Sequence, residues 1–295
     1  SKLYDINCNK KITVNMKRII AKLDIKGRNL VKGINLEGLR ALGEPSYFAK
    51  YYYENMIDEI IYHDCVASLY GRKSFQTLSK HTSSNVFIPV SAGGGLKSIK
   101  NIEEILSAGA DKVFINSEAL NRPRFLSEAS KEFGSANICL SIEAIKDSKG
   151  EFICLGSYGR EVSNKKLTEW INEAQQLGVG EIILTSVSHE GLVNGFDLEI
   201  LELIYDIINV PLIMNGGAGN EKHIYDVLKY DKVSGVAISS LLHYSLIREK
   251  KFKFQFTGEG NTEFIKFFKN TTGIKKTSIL SIKKYLRNKG IEVRF

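Results

Sequence analysis

No stretch of this chain approaches the roughly 18 uninterrupted apolar residues that a membrane-crossing helix needs. The polar segment from Ser1 to Asn15 lacks the apolar core of a secretory signal. The four cysteines (Cys8, Cys65, Cys139 and Cys154) have neither metal-ligand nor disulfide-framework spacing. Three of them fall in or beside predicted strands, so reduced, packed thiols and a cytoplasmic protein are expected. The positive balance, 41 Lys+Arg against 33 Asp+Glu, comes with no RNA- or DNA-binding motif. A phosphorylated small-molecule substrate fits that charge better than nucleic acid or a membrane. No break in composition marks a second domain.

What is present is enough for a full core: 295 residues, 43% of them hydrophobic. Eight short β-rich runs, at 18–25, 59–64, 86–92, 112–117, 138–144, 181–187, 211–215 and 235–240, alternate with helical stretches. The helices are expected at 46–55, 99–108, 122–133 and 167–177, with a terminal one at 278–289. Strand–helix alternation gives a parallel sheet, because each parallel connection needs a crossover. Eight such units in one chain predict an α/β fold, a single closed (β/α)8 TIM barrel over residues 16–295. Residues 1–15, ahead of Met16-Lys17-Arg18, read as an N-terminal extension. A lysine- and phenylalanine-rich insertion at about 248–276 precedes the terminal helix. It reads either as an enlarged last connection or as a docking surface.

The barrel is written twice. Asp24 and Glu143 each end an apolar run, Gly93-Gly94-Gly95 is matched by Gly216-Gly217-Ala218-Gly219, and Asn116-Ser117 by Ser239-Ser240. The separations, 143 − 24 = 119, 217 − 95 = 122 and 239 − 116 = 123, are nearly constant. A two-fold half-barrel repeat follows, each half offering one carboxylate and one phosphate cradle. Such a pair suits a substrate with a phosphate at both ends and acid–base chemistry between them. Asp24 ends strand one and Glu143 strand five, on opposite sides of the barrel mouth where such folds place their chemistry. Gly95 and Gly217 let backbone N–H groups approach an anion, and Asn116, Ser117, Ser239 and Ser240 supply further donors. Lys32, in a glycine-flanked loop after strand one, is a candidate electrostatic clamp. Arg18, Glu59, Lys112 and Glu181 open strands one, two, four and six. They predict a ring of inward charges at the barrel bottom, serving as a structural plug or as a gate.

These residues carry a family resemblance. The chain resembles the cyclase subunit of imidazole glycerol phosphate synthase in Lys17-Arg18-Ile19-Ile20-Ala21-Lys22-Leu23-Asp24, Asn35-Leu36-Glu37-Gly38-Leu39-Arg40, Gly109-Ala110-Asp111-Lys112-Val113 and Asn215-Gly216-Gly217-Ala218-Gly219. It runs over about residues 16–247 and resumes at the terminal helix. The resemblance implies a glutaminase subunit docked on the barrel bottom as a heterodimer. Ammonia would pass the gate of Arg18, Glu59, Lys112 and Glu181 and rise through the interior. There it would convert a bisphosphorylated ribulosyl nucleotide into imidazole glycerol phosphate and aminoimidazole carboxamide ribotide, in histidine biosynthesis. Asp24 and Glu143 would be catalytic, with Lys32, Gly95, Asn116, Ser117, Thr185, Gly217, Ser239 and Ser240 on the substrate. Neither metal nor cofactor is expected.

The departures gather in the interior and the substrate loops. Glu143 stands where the family has aspartate, Lys22 where it usually has cysteine, and His63 at a channel position normally apolar. Phe114 and Asn215 replace small serines, and Ser188 and Glu190 replace aspartates. Lys22 faces inward, and a buried ammonium needs a partner. A salt bridge to Asp24, Glu143 or Asp64 is expected, holding the catalytic carboxylates ionised. Two alternatives stay open beside the cyclase: a paralogue channelling ammonia to a surface sugar, and a non-catalytic scaffold that activates a glutaminase.

Overall fold

A computed structural model describes residues 16–67, 86–249 and 274–295. The N-terminal extension and nearly all of the 248–276 insertion lie outside these described residues. Eight parallel strands close into a barrel: β1 (Arg18–Lys26), β4 (Glu59–Asp64), β5 (Val90–Gly93), β6 (Lys112–Ile115), β7 (Ile138–Lys146), β10 (Glu181–Ser186), β11 (Leu212–Asn215) and β12 (Val233–Ile238). Closure is made by β12 pairing with β1 and β7 with β10. The helices between strands are α1 (Pro45–Glu54), α2 (Ile99–Ser107), α3 (Ser117–Asn121), α4 (Arg124–Phe133), α5 (Leu167–Gln176), α6 (Leu198–Ile204), α7 (Glu221–Leu228) and α8 (Ser240–Ile247). The terminal helix is α9 (Ile279–Asn288).

Alternation along each strand sorts the residues into layers. On β1, Ile19, Ala21, Leu23 and Ile25 face the helices and join the main core, whereas Ile20 points into the barrel. There it meets Ile61, Phe114, Cys139, Ile183, Ile213 and Ala237, one apolar side chain from each of seven strands. The eighth strand contributes Ser91, whose hydroxyl donates to Glu59 Oε1 at 2.6 Å. The interior is a packed layer between a charged floor and a polar mouth.

The internal repeat extends to structure that the sequence pattern concealed. After β1 the chain forms an antiparallel hairpin, β2 (Asn29–Ile34) and β3 (Glu37–Gly43), and β7 is followed in the same way by β8 (Phe152–Gly156) and β9 (Glu161–Lys166). Lys32 therefore sits on a strand rather than in the loop expected from its flanking glycines. The helices after the two glycine turns carry matching caps. Ser98 accepts from the Asn101 N–H and Asn220 from the His223 N–H, again 220 − 98 = 122 residues apart. Several predicted strands are shorter than expected, the third most of all. The run at 86–92 joins the ladder only from Val90, because Pro89 has no N–H to donate and Phe87 is turned out to solvent.

Candidate active site

The charged floor forms as a closed ring. Arg18 bridges Glu59 at 2.8 Å and also Glu181, while Lys112 lies 2.9 Å from Glu181 and 3.7 Å from Glu59. Each buried carboxylate thus touches both cations. Burial alone would raise the Glu181 carboxyl, but Arg18 and Lys112 hold it below its ordinary range.

At the other end, Asp24 is fully buried, with two lysines and a histidine around it. Lys22 Nζ lies 2.7 Å from its Oδ1, His63 Nδ1 is 3.3 Å from the same oxygen, and Lys32 Nζ is 3.8 Å from Oδ2. Burial opposes ionisation. Lys22, the His63 contact and Lys32 outweigh it and hold Asp24 well below the usual carboxylate range. The backbone beneath is fixed as well. Ser239 Oγ donates to the Lys22 carbonyl at 2.9 Å, and His243 Nε2 reaches it at 3.1 Å. Burial and the nearby Lys32 lower the His243 pKa to about 3, so the ring is neutral. With its Nε2 proton on that carbonyl, Nδ1 accepts from the Tyr52 hydroxyl at 2.6 Å.

Glu143 has the opposite character. Burial raises its pKa, and His63, Lys22 and the Gly159 N–H only partly offset the rise. Its Oε2 accepts from the Gly159 N–H at 2.8 Å and from Asn116 Nδ2 at 3.2 Å. Of the three partners expected for Lys22, Asp24 is the one it binds directly, while on Glu143 burial outweighs the lysine and the proton affinity rises. Two buried carboxyl groups with displaced affinities are the arrangement that acid–base chemistry requires.

The first phosphate cradle lies beside an open cavity of about 200 Å³, lined by Gly94, Gly95, Asn116, Ser117 and Glu143 together with His63 and Tyr158. Gly94, at φ +117°, is required by crowding, since a Cβ there would lie 2.2 Å from the Asp64 carbonyl oxygen. Not every predicted donor is free. Asn116 spends its amide N–H groups on Glu143 and the Leu155 carbonyl, and Ser117 Oγ accepts from the Ser157 N–H at 2.8 Å. The second cradle (Gly216, Gly217, Ser239 and Ser240) encloses only about 10 Å³. Gly217 is needed there because a Cβ would come 1.9 Å from the Gly195 carbonyl oxygen. Thr185 is also engaged, accepting from Asn215 Nδ2 at 2.9 Å. Asp24, Lys32 and Thr185 line neither space; they lie buried between and beneath the two.

Tyr158 was not legible from the sequence. It occupies the β8–β9 turn at φ +59°, 4% exposed, with its ring against His63 and its hydroxyl lacking a partner. No motif marks it, since its placement depends on a hairpin that the pattern did not reveal. Among the described residues no group of three or more His, Cys, Asp and Glu could hold a metal ion, and no helix is long and apolar enough to cross a membrane.

The family model described as "Histidine biosynthesis protein" matches residues 18–248, which span the whole barrel. The chain belongs to this family. Among similar proteins, the imidazole glycerol phosphate synthase subunit HisF of Legionella pneumophila is 44% identical over 68% of this chain and 95% of its own length. The HisF subunit of Staphylococcus saprophyticus is 39% identical over 77% of this chain and 90% of its own. That of Staphylococcus carnosus is 32% identical over 95% and 98%, respectively.

Proposed function

We propose that the chain is the cyclase subunit of an imidazole glycerol phosphate synthase, using ammonia to close an imidazole ring on a bisphosphorylated ribulosyl nucleotide. One observation carries this reading: two buried carboxyl groups, Asp24 with its proton affinity lowered and Glu143 with its affinity raised, end β1 and β7 above an interior floored by a four-residue charged ring. Condensing ammonia with a carbonyl requires a proton to leave the attacking nitrogen and another to reach the departing oxygen. Asp24 is suited to accept the first and Glu143 to deliver the second. Closing the ring and expelling the aminoimidazole carboxamide ribotide calls for a second such exchange, with the roles reversed.

A glutaminase partner would dock on the barrel bottom. Neutral ammonia would then pass the ring of Arg18, Glu59, Lys112 and Glu181 and rise past Ile20, Phe114 and Ile183. Lys22 would meet it beneath Asp24, where a fixed positive charge disfavours ammonium and leaves the uncharged nucleophile. Supplying ¹⁵N-amide glutamine, the partner glutaminase and the ribulosyl substrate tests this route. Label in the imidazole product that excess unlabelled ammonium does not dilute supports channelling; full dilution contradicts it.

A further inference from the structure

The two phosphate cradles are unequal, and the smaller one is lined by the Glu190 carboxylate. Glu190 lies in the loop after β10, 2% exposed. One of its carboxylate oxygens pairs with Lys32, and the other, Oε2, faces Gly216, where a Cβ would approach it to 3.0 Å. The space that remains between Glu190 and Gly216, Gly217, Ser239 and Ser240 is about 10 Å³, room for one water and too little for a phosphate. The matching site in the first half has about 200 Å³.

The same loop holds the β2–β3 hairpin in place. The Asn35 N–H donates to the Glu190 carbonyl at 2.8 Å, and Asn35 Nδ2 to the Val187 carbonyl at 3.0 Å. Lys32, carried on that hairpin, lies between Glu190 and Asp24. Glu190 therefore offers an internal anion to the cradle and to Lys32, the second lysine beside Asp24.

We propose that Glu190 is a specificity-determining residue that occupies the second phosphate cradle until the substrate's second phosphate displaces it. This rests on the cyclase reading, in which both cradles hold phosphate. The first cradle binds one end of the substrate without rearrangement. The other end then competes with Glu190 for the Gly216–Gly217 backbone and for Lys32. Displacement transfers Lys32 from a carboxylate to a phosphate dianion, which links closure of the hairpin over Asp24 to the arrival of a substrate phosphorylated at both ends. A ligand with one phosphate fills the open cradle and leaves Glu190 where it is.

Titration of the whole chain with inorganic phosphate, by calorimetry with ³¹P line shapes as a second readout, tests the inference. The wild type should take one phosphate per chain, with a second at least about tenfold weaker. Glu190→Gln should bring the second site to within a few-fold of the first. Glu190→Asp keeps the charge on Lys32 but withdraws it from Gly216, so it should give the same gain in a fold-preserving variant, checked by its circular dichroism. Two equal sites in the wild type, or a second site unchanged in both variants, would overturn the role of Glu190 while leaving the cradles intact. No phosphate bound by any of the three proteins would overturn the reading of the cradles as well.

Discussion

Replacing Lys22 by methionine isolates the interaction on which the mouth of the barrel depends. The ammonium and Asp24 are 6% and 0% exposed and 2.7 Å apart, so neither group has water to replace the other. Removing one member of a buried pair typically costs about 3–5 kcal/mol, because the remaining charge is left uncompensated. Lys32 at 3.8 Å and His63 at 3.3 Å remain beside Asp24, which places the expected loss near the lower end, about 3 kcal/mol at neutral pH. The sign of the pH dependence follows from the depressed pKa of Asp24. Its stabilising contribution is present above the unfolded value of about 3.9 and is lost as pH falls through the folded value. Without Lys22 the folded pKa rises, so the mutant should lose stability at a higher pH than the wild type. Urea unfolding across the acid range measures both effects. The double variant Lys22→Met/Asp24→Asn should recover most of the loss, because no charge is then stranded. A single mutant within about 1 kcal/mol of wild type, with an unchanged acid limb, would refute the reasoning and mean that the ammonium is solvated.

Three further outcomes follow from the same geometry. Glu143→Gln removes a buried acid with a raised pKa, whose contribution is present below its unfolded pKa and is lost as pH rises through the folded one. Stability at neutral pH should therefore hold or improve by about 1 kcal/mol in thermal melts, while cyclase turnover falls by at least about a hundredfold. Arg18→Met leaves Glu59 and Glu181 sharing Lys112 alone, so glutamine-supported turnover should fall well below ammonium-supported turnover measured on the same preparation. Gly217→Ala forces a side chain onto the Gly195 carbonyl at φ +103°, and a loss of about 3 kcal/mol in denaturant unfolding is expected.

Much of the architecture was legible because strand ends and glycine turns recur at a near-constant spacing. Asp24 and Glu143 were found as the ends of repeated apolar runs, and the four floor residues as strand openers whose inward side follows from a period of two. The second hairpin escaped because β9, Glu161–Lys166, is largely exposed and polar and has no apolar face to betray it. Tyr158 escaped with it. The contrast between Asp24 and Glu143 was equally hidden: both are buried acids, and only the contacts of Lys22, His63 and Lys32 with Asp24 separate their proton affinities. The Glu190 carboxylate beside Gly216 was hidden too, because no spacing in the sequence pairs it with Lys32, 158 residues away in the chain.

Incubating the purified protein with the ribulosyl nucleotide and excess ammonium salt, with no glutaminase present, tests the central claim most directly. Formation of imidazole glycerol phosphate and aminoimidazole carboxamide ribotide in equal amounts, abolished in Asp24→Asn, is the predicted result. Substrate binding without either product, or turnover undiminished in Asp24→Asn, would contradict it.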